Sequence, residues 1–359
     1  MILHVQNPLA DGASTDPEDR TLVLRARSGE RAALEELVQR HQRWIYNIAI
    51  RMLHHPQDAE DATQEILLKA VTRLSSFEDR SSFRTWLYRI VVNHVLNVKR
   101  GRVERKALNF KVYGDDLDAT PDLDLPDPAS GSPEASLLVA EAMITCTSGM
   151  LLCLDREQRL TYILGEILGT SDTVGAELLE ITRENFRQRL SRARRDLHNF
   201  MNGKCGLVNP ANPCRCAKKT RGFIDAGYVD PENLVFARHH VEQIREAAPT
   251  ALETIKTPDD RCAAIYREDP FHESPDLTAM LRRLLAVRSC DERRDGARGL
   301  PRSRHWCKQR DRASGGIGAP RVGRDRPGYS SEAVTVVRLT VSPRMTVAEM
   351  PPPWERRGS

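Results

Sequence analysis

The chain has 359 residues, with 54 Lys and Arg against 50 Asp and Glu, and only 5% aromatic residues. That length favours two or three domains over one, and a net charge of +4 leaves any nucleic-acid role to local patches rather than bulk attraction. No window approaches the roughly 18 apolar residues of a membrane span, and residues 1–10 lack a charged start followed by a long apolar core, so the chain is expected in the cytoplasm without a membrane partner.

The charge is unevenly spread. Residues 288–359 hold sixteen basic and eight acidic side chains, a net of +8, which leaves 38 basic and 42 acidic, a net of −4, in residues 1–287. Eight cysteines in so long a chain are not a disulfide scaffold. Alternating β-branched runs are scarce before the far C-terminus, and the fold class expected is all-α.

Residues 1–17 carry Pro, Gly and Asp without periodicity and are expected to be disordered. From Asp19 the pattern turns helical, with Leu22, Leu24 and Ala26 leading to a break at Ser28-Gly29-Glu30. Ala33, Leu34, Leu37, Val38 and His41 continue at helical spacing into Trp44, Ile45, Ile48 and Ala49. Pro56 ends that helix, since a residue before proline avoids the helical region. Asp58 can cap the next one, whose apolar face is Ala59, Ala62, Ile66, Leu67, Ala70, Val71 and Leu74, with Glu60, Asp61, Gln64 and Glu65 on its outer side. After a polar loop, Ser81 or Ser82 opens a helix through Phe83, Trp86, Leu87, Ile90, Val91 and Val95 that ends in Lys99, Arg100 and Arg102. Residues 18–106 thus read as one helical domain.

Residues 107–135 read as an extended, self-repelling linker, because from Lys111 to Ala135 there are seven acids and four prolines and no base beyond Lys111. A second helical domain is expected over 136–202. The stretch Leu154-Asp155-Arg156-Glu157-Gln158-Arg159 opens a helix containing Leu160, Ile163, Leu164 and Ile167, and Gly169-Thr170-Ser171 breaks it. A short helix around Val174, Leu178 and Leu179, a tight turn at Ile181-Thr182-Arg183 and an Arg-rich last helix complete a helix-turn-helix. Residues 203–286 form a cysteine-containing helical extension with helices expected over 234–248, 258–266 and 276–285. Residues 287–359 lose periodicity and read as a disordered basic tail or as sequence translated out of frame.

Four constellations carry candidate chemistry. Between Arg183 and His198 there are six arginines against Glu184 and Asp196. Arginines on one helix face neutralise phosphates while the first turns reach base edges, so Arg183, Arg187, Gln188, Arg189, Arg192 and Arg194 are candidate DNA contacts; the plain alternative is a solvated charged face. Glu180 stands where such a turn often has Gly. Phe77, Arg80, Phe83, Trp86, Tyr88, Arg89 and Asn93 would suit unstacked bases, through aromatic faces and hydrogen-bonding groups, or part of them is simply core. Asp58, Glu60, Asp61 and Glu65 lack the spacing of a catalytic or metal site and suit a docking face or a solvated one. Cys205, Cys214 and Cys216, with His198 upstream, offer a Cys₃His donor set for zinc; the alternative is reduced thiols in a Pro-stiffened turn. No cofactor is otherwise called for, and Cys146, Cys153 and Cys262 sit among apolar neighbours as expected core.

The stretches DAEDATQEILLKAVTRL, FEDRSSFRTWLYRIVVNHVLNVKR and RENFRQRLSRARRDL, in that order, resemble bacterial RNA polymerase sigma factors of the extracytoplasmic-function (ECF) group over residues 19–200. The resemblance implies an initiation factor rather than an enzyme. Its first domain would be region 2, with Asp58, Asp61, Gln64 and Glu65 facing the β′ clamp helices. Phe77, Arg80, Trp86, Arg89, Asn93, Lys99 and Arg100 would lie on the side that melts and reads the minus-ten element. The second domain would be region 4, set by the β flap and reading the minus-thirty-five element. Core RNA polymerase and promoter DNA are the implied partners, with room for an anti-sigma factor. Val91-Val92, Asn97 and Thr173-Val174-Gly175 depart from the usual pattern and leave the promoter preference open. The competing reading is a stand-alone helix-turn-helix regulator that never contacts polymerase.

Overall fold

The structure, a computed structural model, describes Leu9 and residues 17–78, 81–98, 109–123, 133–236, 257–267, 277 and 282, all of which belong to one compact unit. Among them it is wholly helical, with eleven α-helices and no strand. The expected all-α class stands.

The first bundle is α1 (Pro17–Arg27), α2 (Arg31–Leu53), α3 (Pro56–Arg73) and α4 (Phe83–Asn97). Gly29, at φ +96°, makes the sharp turn between α1 and α2. α3 starts earlier than its sequence suggests. His55 is its cap, its ring accepting from the Asp58 amide at 3.4 Å, and Pro56 takes the first turn, where a missing N–H costs nothing. Asp58 is therefore inside the first turn, where a carboxylate complements the helix dipole. Ser82 caps α4 as expected, its Oγ accepting from the Thr85 amide at 3.1 Å.

Asp19 ties three of these helices together. Only 2% exposed, it accepts from Arg40 Nε at 2.9 Å and Arg84 Nε at 2.7 Å, and His41 Nε2 lies 3.2 Å away. Burial alone would raise its pKa, but the hydrogen bonds and charges of His41 and Arg84 outweigh that and hold the carboxyl well below the usual carboxylate range.

The acidic connector is not wholly extended. Its first part is α5 (Phe110–Ala119), capped by the Asn109 side chain, which accepts from the Val112 amide at 3.0 Å. Self-repulsion is relieved because the acids have partners from elsewhere: Asp118 pairs with Lys204, and Asp122 sits 3.1 Å from Lys219. Tyr113 Oη donates to the Cys146 carbonyl at 2.8 Å, and Gly114 lets α5 lie against the Phe200 ring. Residues 124–132, the other half of that connector, lie outside the described residues.

The second bundle comprises α6 (Pro133–Leu151), α7 (Arg156–Tyr162) running on into a π-helical turn at Ile163–Ile167, α8 (Asp172–Leu179) and α9 (Arg183–Lys204). Three local caps set its boundaries: Asp155, Ser171 and Thr182 each accept from the amide three residues on. Glu180 takes the left-handed turn conformation itself, at φ +54°, where glycine is usual. A glycine is needed instead at Gly175, where a Cβ would collide with the Phe186 ring, so the departure at 173–175 is the one that lets α8 and α9 close. Gly175→Ala is expected to lose about 1–3 kcal/mol through overpacking, read as a fall in melting temperature; an unchanged midpoint would refute that account.

The extension contributes α10 (Cys216–Asp225) and α11 (Pro258–Arg267). α11 agrees with the helix expected at 258–266. Leu234 to Phe236 are not helical, while 237–248 and most of 276–285 lie outside the described residues, as do the tail 287–359 and nearly all of the N-terminal segment.

Candidate polymerase and promoter interface

The amphipathic pattern of α3 buries Ala59, Ala62, Ile66, Leu67 and Ala70 and turns a polar stripe outward. Asp61 and Glu65 are exposed, Asp58 and Gln64 partly so. Glu65 keeps 65% of its side-chain surface, with Lys69 3.8 Å away, and Asp58 stands 3.7 Å from His55. Leu68, 43% exposed, lies one turn beyond Gln64 and Glu65. Its neighbour Leu67 satisfies the apolar periodicity, which hid Leu68 from a sequence reading; spacing from Asp61 is the signal that finds it. Glu60 differs from the other acids: burial, then the charge of Asp61, raises its pKa. The stripe is thus a set of solvated carboxylates flanking one apolar side chain, a composition suited to a basic protein surface.

On α4, Trp86, Arg89 and Asn93 follow at helical spacing along one side, Asn93 exposed and the other two partly so. Phe77 does not join them. It is 4% exposed, packed with Phe83 at 6.0 Å and Trp86 at 5.4 Å between ring centroids, so its place is the aromatic core behind the patch. Tyr88 is fully buried, and burial drives its hydroxyl pKa far up. Arg80, Lys99 and Arg100 lie outside the described residues.

The charged face of α9 divides. Arg183, Arg187, Gln188 and Arg192 are exposed. Arg183 (3.3 Å) and Arg187 share the Asp172 carboxylate at the start of α8, and their hydrogen bonds hold that carboxyl below its ordinary pKa against the opposing effect of burial. Arg189, partly buried, pairs with Glu157 at 2.8 Å, and with Gln188 and Arg192 it lines an open polar groove of about 370 Å³ between α7 and α9. Arg194, also exposed, is held differently: it and Arg267 of the extension both bind Glu166, whose side chain is 3% exposed.

The expected Cys₃His set is not assembled. His198 is drawn away, its ring 3.1 Å from Tyr162 Oη and 3.2 Å from Asp259, and among the described residues no group of three His, Cys, Asp or Glu is arranged to hold a metal ion. Cys205, Cys214 and Cys216 are instead neighbours of Cys146, and burial pushes all four thiols up, Cys216 to about 12. Cys262 is buried as expected, whereas Cys146 and Cys153 are partly exposed.

Comparison with known proteins gives the family. The family described as Sigma-70 region 2 matches residues 37–105, which span most of α2, α3 and α4. The chain is 30% identical over 190 residues to the ECF RNA polymerase sigma-E factor of Escherichia coli, covering 50% of this chain and 93% of that protein. It is 30% identical over 184 residues to the RNA polymerase sigma factor NccH of Alcaligenes xylosoxydans xylosoxydans, covering 51% and 95%. The RNA polymerase sigma-H factor of Pseudomonas aeruginosa is 40% identical over 90 residues, 24% of this chain and about half (47%) of that one. A solved structure, of CnrH in complex with the cytosolic domain of CnrY, aligns over 52% of this chain and 98% of its own at 23% identity and a TM-score of 0.37. The chain belongs to the ECF RNA polymerase sigma factors, initiation factors that direct RNA polymerase in transcription. No helix among the described residues is long and apolar enough to cross a membrane.

Proposed function

We propose that the chain docks on core RNA polymerase through Asp58, Asp61, Gln64, Glu65 and Leu68 of α3, the surface that would meet the β′ clamp helices. Trp86, Arg89 and Asn93 of α4, together with Arg80, Lys99 and Arg100, take the opened minus-ten strand, where bases stack on an aromatic face and Asn and Arg supply hydrogen bonds. Arg183, Arg187, Gln188 and Arg192 of α9 read the minus-thirty-five element from the major groove, with the second bundle placed by the β flap. On this reading the domains are 18–106, the connector 107–135 and 136–202, the protein works in the cytoplasm, and nucleotide transfer is chemistry of the polymerase alone. An anti-sigma factor would act by covering the same faces.

The observation that carries the reading is the division of labour in α3 and α4: a solvated acidic stripe on one helix and a half-exposed Trp-Arg-Asn stripe on the helix packed beside it. The test is run-off transcription with purified core polymerase on genomic fragments. Discrete transcripts that depend on the added chain are expected, and no initiation from any fragment would end this reading.

A further inference from the structure

The two bundles hold each other by arginines that cross between them and end on helix C-termini. Arg89 of α4 donates to the Glu177 carbonyl in the last turn of α8 at 3.3 Å, with the carboxylates of Glu177 and Glu180 3.6 and 3.9 Å away. Arg156, the first residue of α7, donates to the carbonyls of Leu96 and Val98 at 2.9 and 2.6 Å, the end of α4. Arg159, 3% exposed, donates to the Met52 carbonyl at the end of α2 at 2.5 Å, to Leu151 at the end of α6 and to Leu154 in the turn that follows. Each guanidinium binds at least one carbonyl in the last turn of a helix, where the intrahelical ladder runs out, and each sits at the negative pole of the helix dipole.

The extension bridges the same two bundles. α11 is rooted in the second: Cys262 and Tyr266 are buried there, Tyr266 Oη donates to the Thr147 carbonyl at 2.9 Å, and Arg267 Nε donates to the Glu166 carbonyl at 3.1 Å. Further on, the Leu277 amide reaches Gln42 at 3.4 Å and Arg282 pairs with Glu35 at 2.8 Å, both on α2 of the first bundle. On the other side of the extension, the Phe236 ring stacks on His54 at 5.8 Å while its amide donates to the Glu141 carboxylate of α6.

We propose that this is a closed form of the factor, in which the extension clamps the helix-turn-helix against the first bundle and α8 covers Arg89 of the promoter-reading stripe. The proposal rests on the assignment of α4 and α9 as promoter readers. Arg89 cannot hold the α8 C-terminus and a DNA strand at once, so promoter binding by the free protein is limited by opening.

Small-angle scattering and promoter-fragment binding by the full chain, without polymerase, test it. Glu177→Arg with Glu180→Arg turns attraction at Arg89 into repulsion, and Arg156→Ala removes the cap on α4; neither variant replaces a proposed reading residue. Both are expected to enlarge the radius of gyration, and Arg156→Ala, which adds no positive charge, to tighten promoter binding about tenfold. Circular dichroism confirms folding, and Arg156→Ala retains the test should the double variant misfold. A wild-type radius already equal to that of the variants, or variants unchanged in both radius and binding, overturns the clamp. A radius that grows in a chain unable to direct polymerase to any promoter upholds closure and sinks the functional reading instead.

Discussion

Asp61→Arg with Glu65→Arg should abolish binding to core RNA polymerase, with an affinity loss on the order of a hundredfold or more. Both side chains are exposed on α3, and their internal partners are few: Gln57 donates to Asp61 at 3.4 Å, and Lys69 stands 3.8 Å from Glu65. Surface pairs of that kind contribute little to folding, so the helix content and melting temperature of the double variant should stay near wild type. At an interface the balance differs, because a like charge forced against a basic surface costs several kcal/mol and slows encounter as well. Fluorescence anisotropy with labelled factor and purified core enzyme measures the loss. Wild-type affinity in the double variant would remove α3 from the docking surface. Leu68→Ala should weaken the same complex more modestly, since its 43% exposed side chain supplies the apolar centre of the stripe.

The largest stability effect is expected at Asp19→Asn, about 3–5 kcal/mol. The amide keeps the shape and removes the charge, leaving Arg84, itself 6% exposed, without the carboxylate that offsets its burial. Because the folded-state pKa of Asp19 is depressed, its contribution is complete above the unfolded value of about 3.9 and is lost as pH falls toward the folded one. Urea denaturation should therefore show a wide gap between wild type and variant at pH 7 that narrows below about pH 4. A gap that stays constant with pH, or is absent at pH 7, would mean the carboxylate does not anchor α1 to α2 and α4. The consequence reaches function, because α4 presents Trp86, Arg89 and Asn93 from the far end of this same anchor.

Local chemistry accounts for what could be read without coordinates. The caps at Ser82, Asp155, Ser171 and Thr182 act within three residues, so a hydroxyl or carboxylate ahead of an apolar period is enough to place a helix start. The helix-turn-helix and the acidic stripe of α3 are likewise periodic features of short segments, and three motifs in order were enough to point to the family. His55 displaced Asp58 as the α3 cap because proline at the first turn is set by backbone geometry, a rule of equal range that outranked the carboxylate.

Everything that depended on distant partners had to come from the tertiary structure. Asp19 looks like a first-turn surface acid until Arg84, 65 residues later, folds over it. Asp118 and Asp122 look like part of a self-repelling run until Lys204 and Lys219 meet them, and Phe77 looks available to a base until Phe83 and Trp86 close around it. His198 seemed free to join the cysteines, but Tyr162 and Asp259 hold it elsewhere. The sequence by itself determined most helices of the two bundles, the family and which faces are charged, because those follow from neighbours one turn apart. Only the tertiary structure decided which charges are spent inside the molecule, since a side chain's partner across 60 to 100 residues is chosen by packing and the cost of leaving a buried charge or carbonyl unmatched.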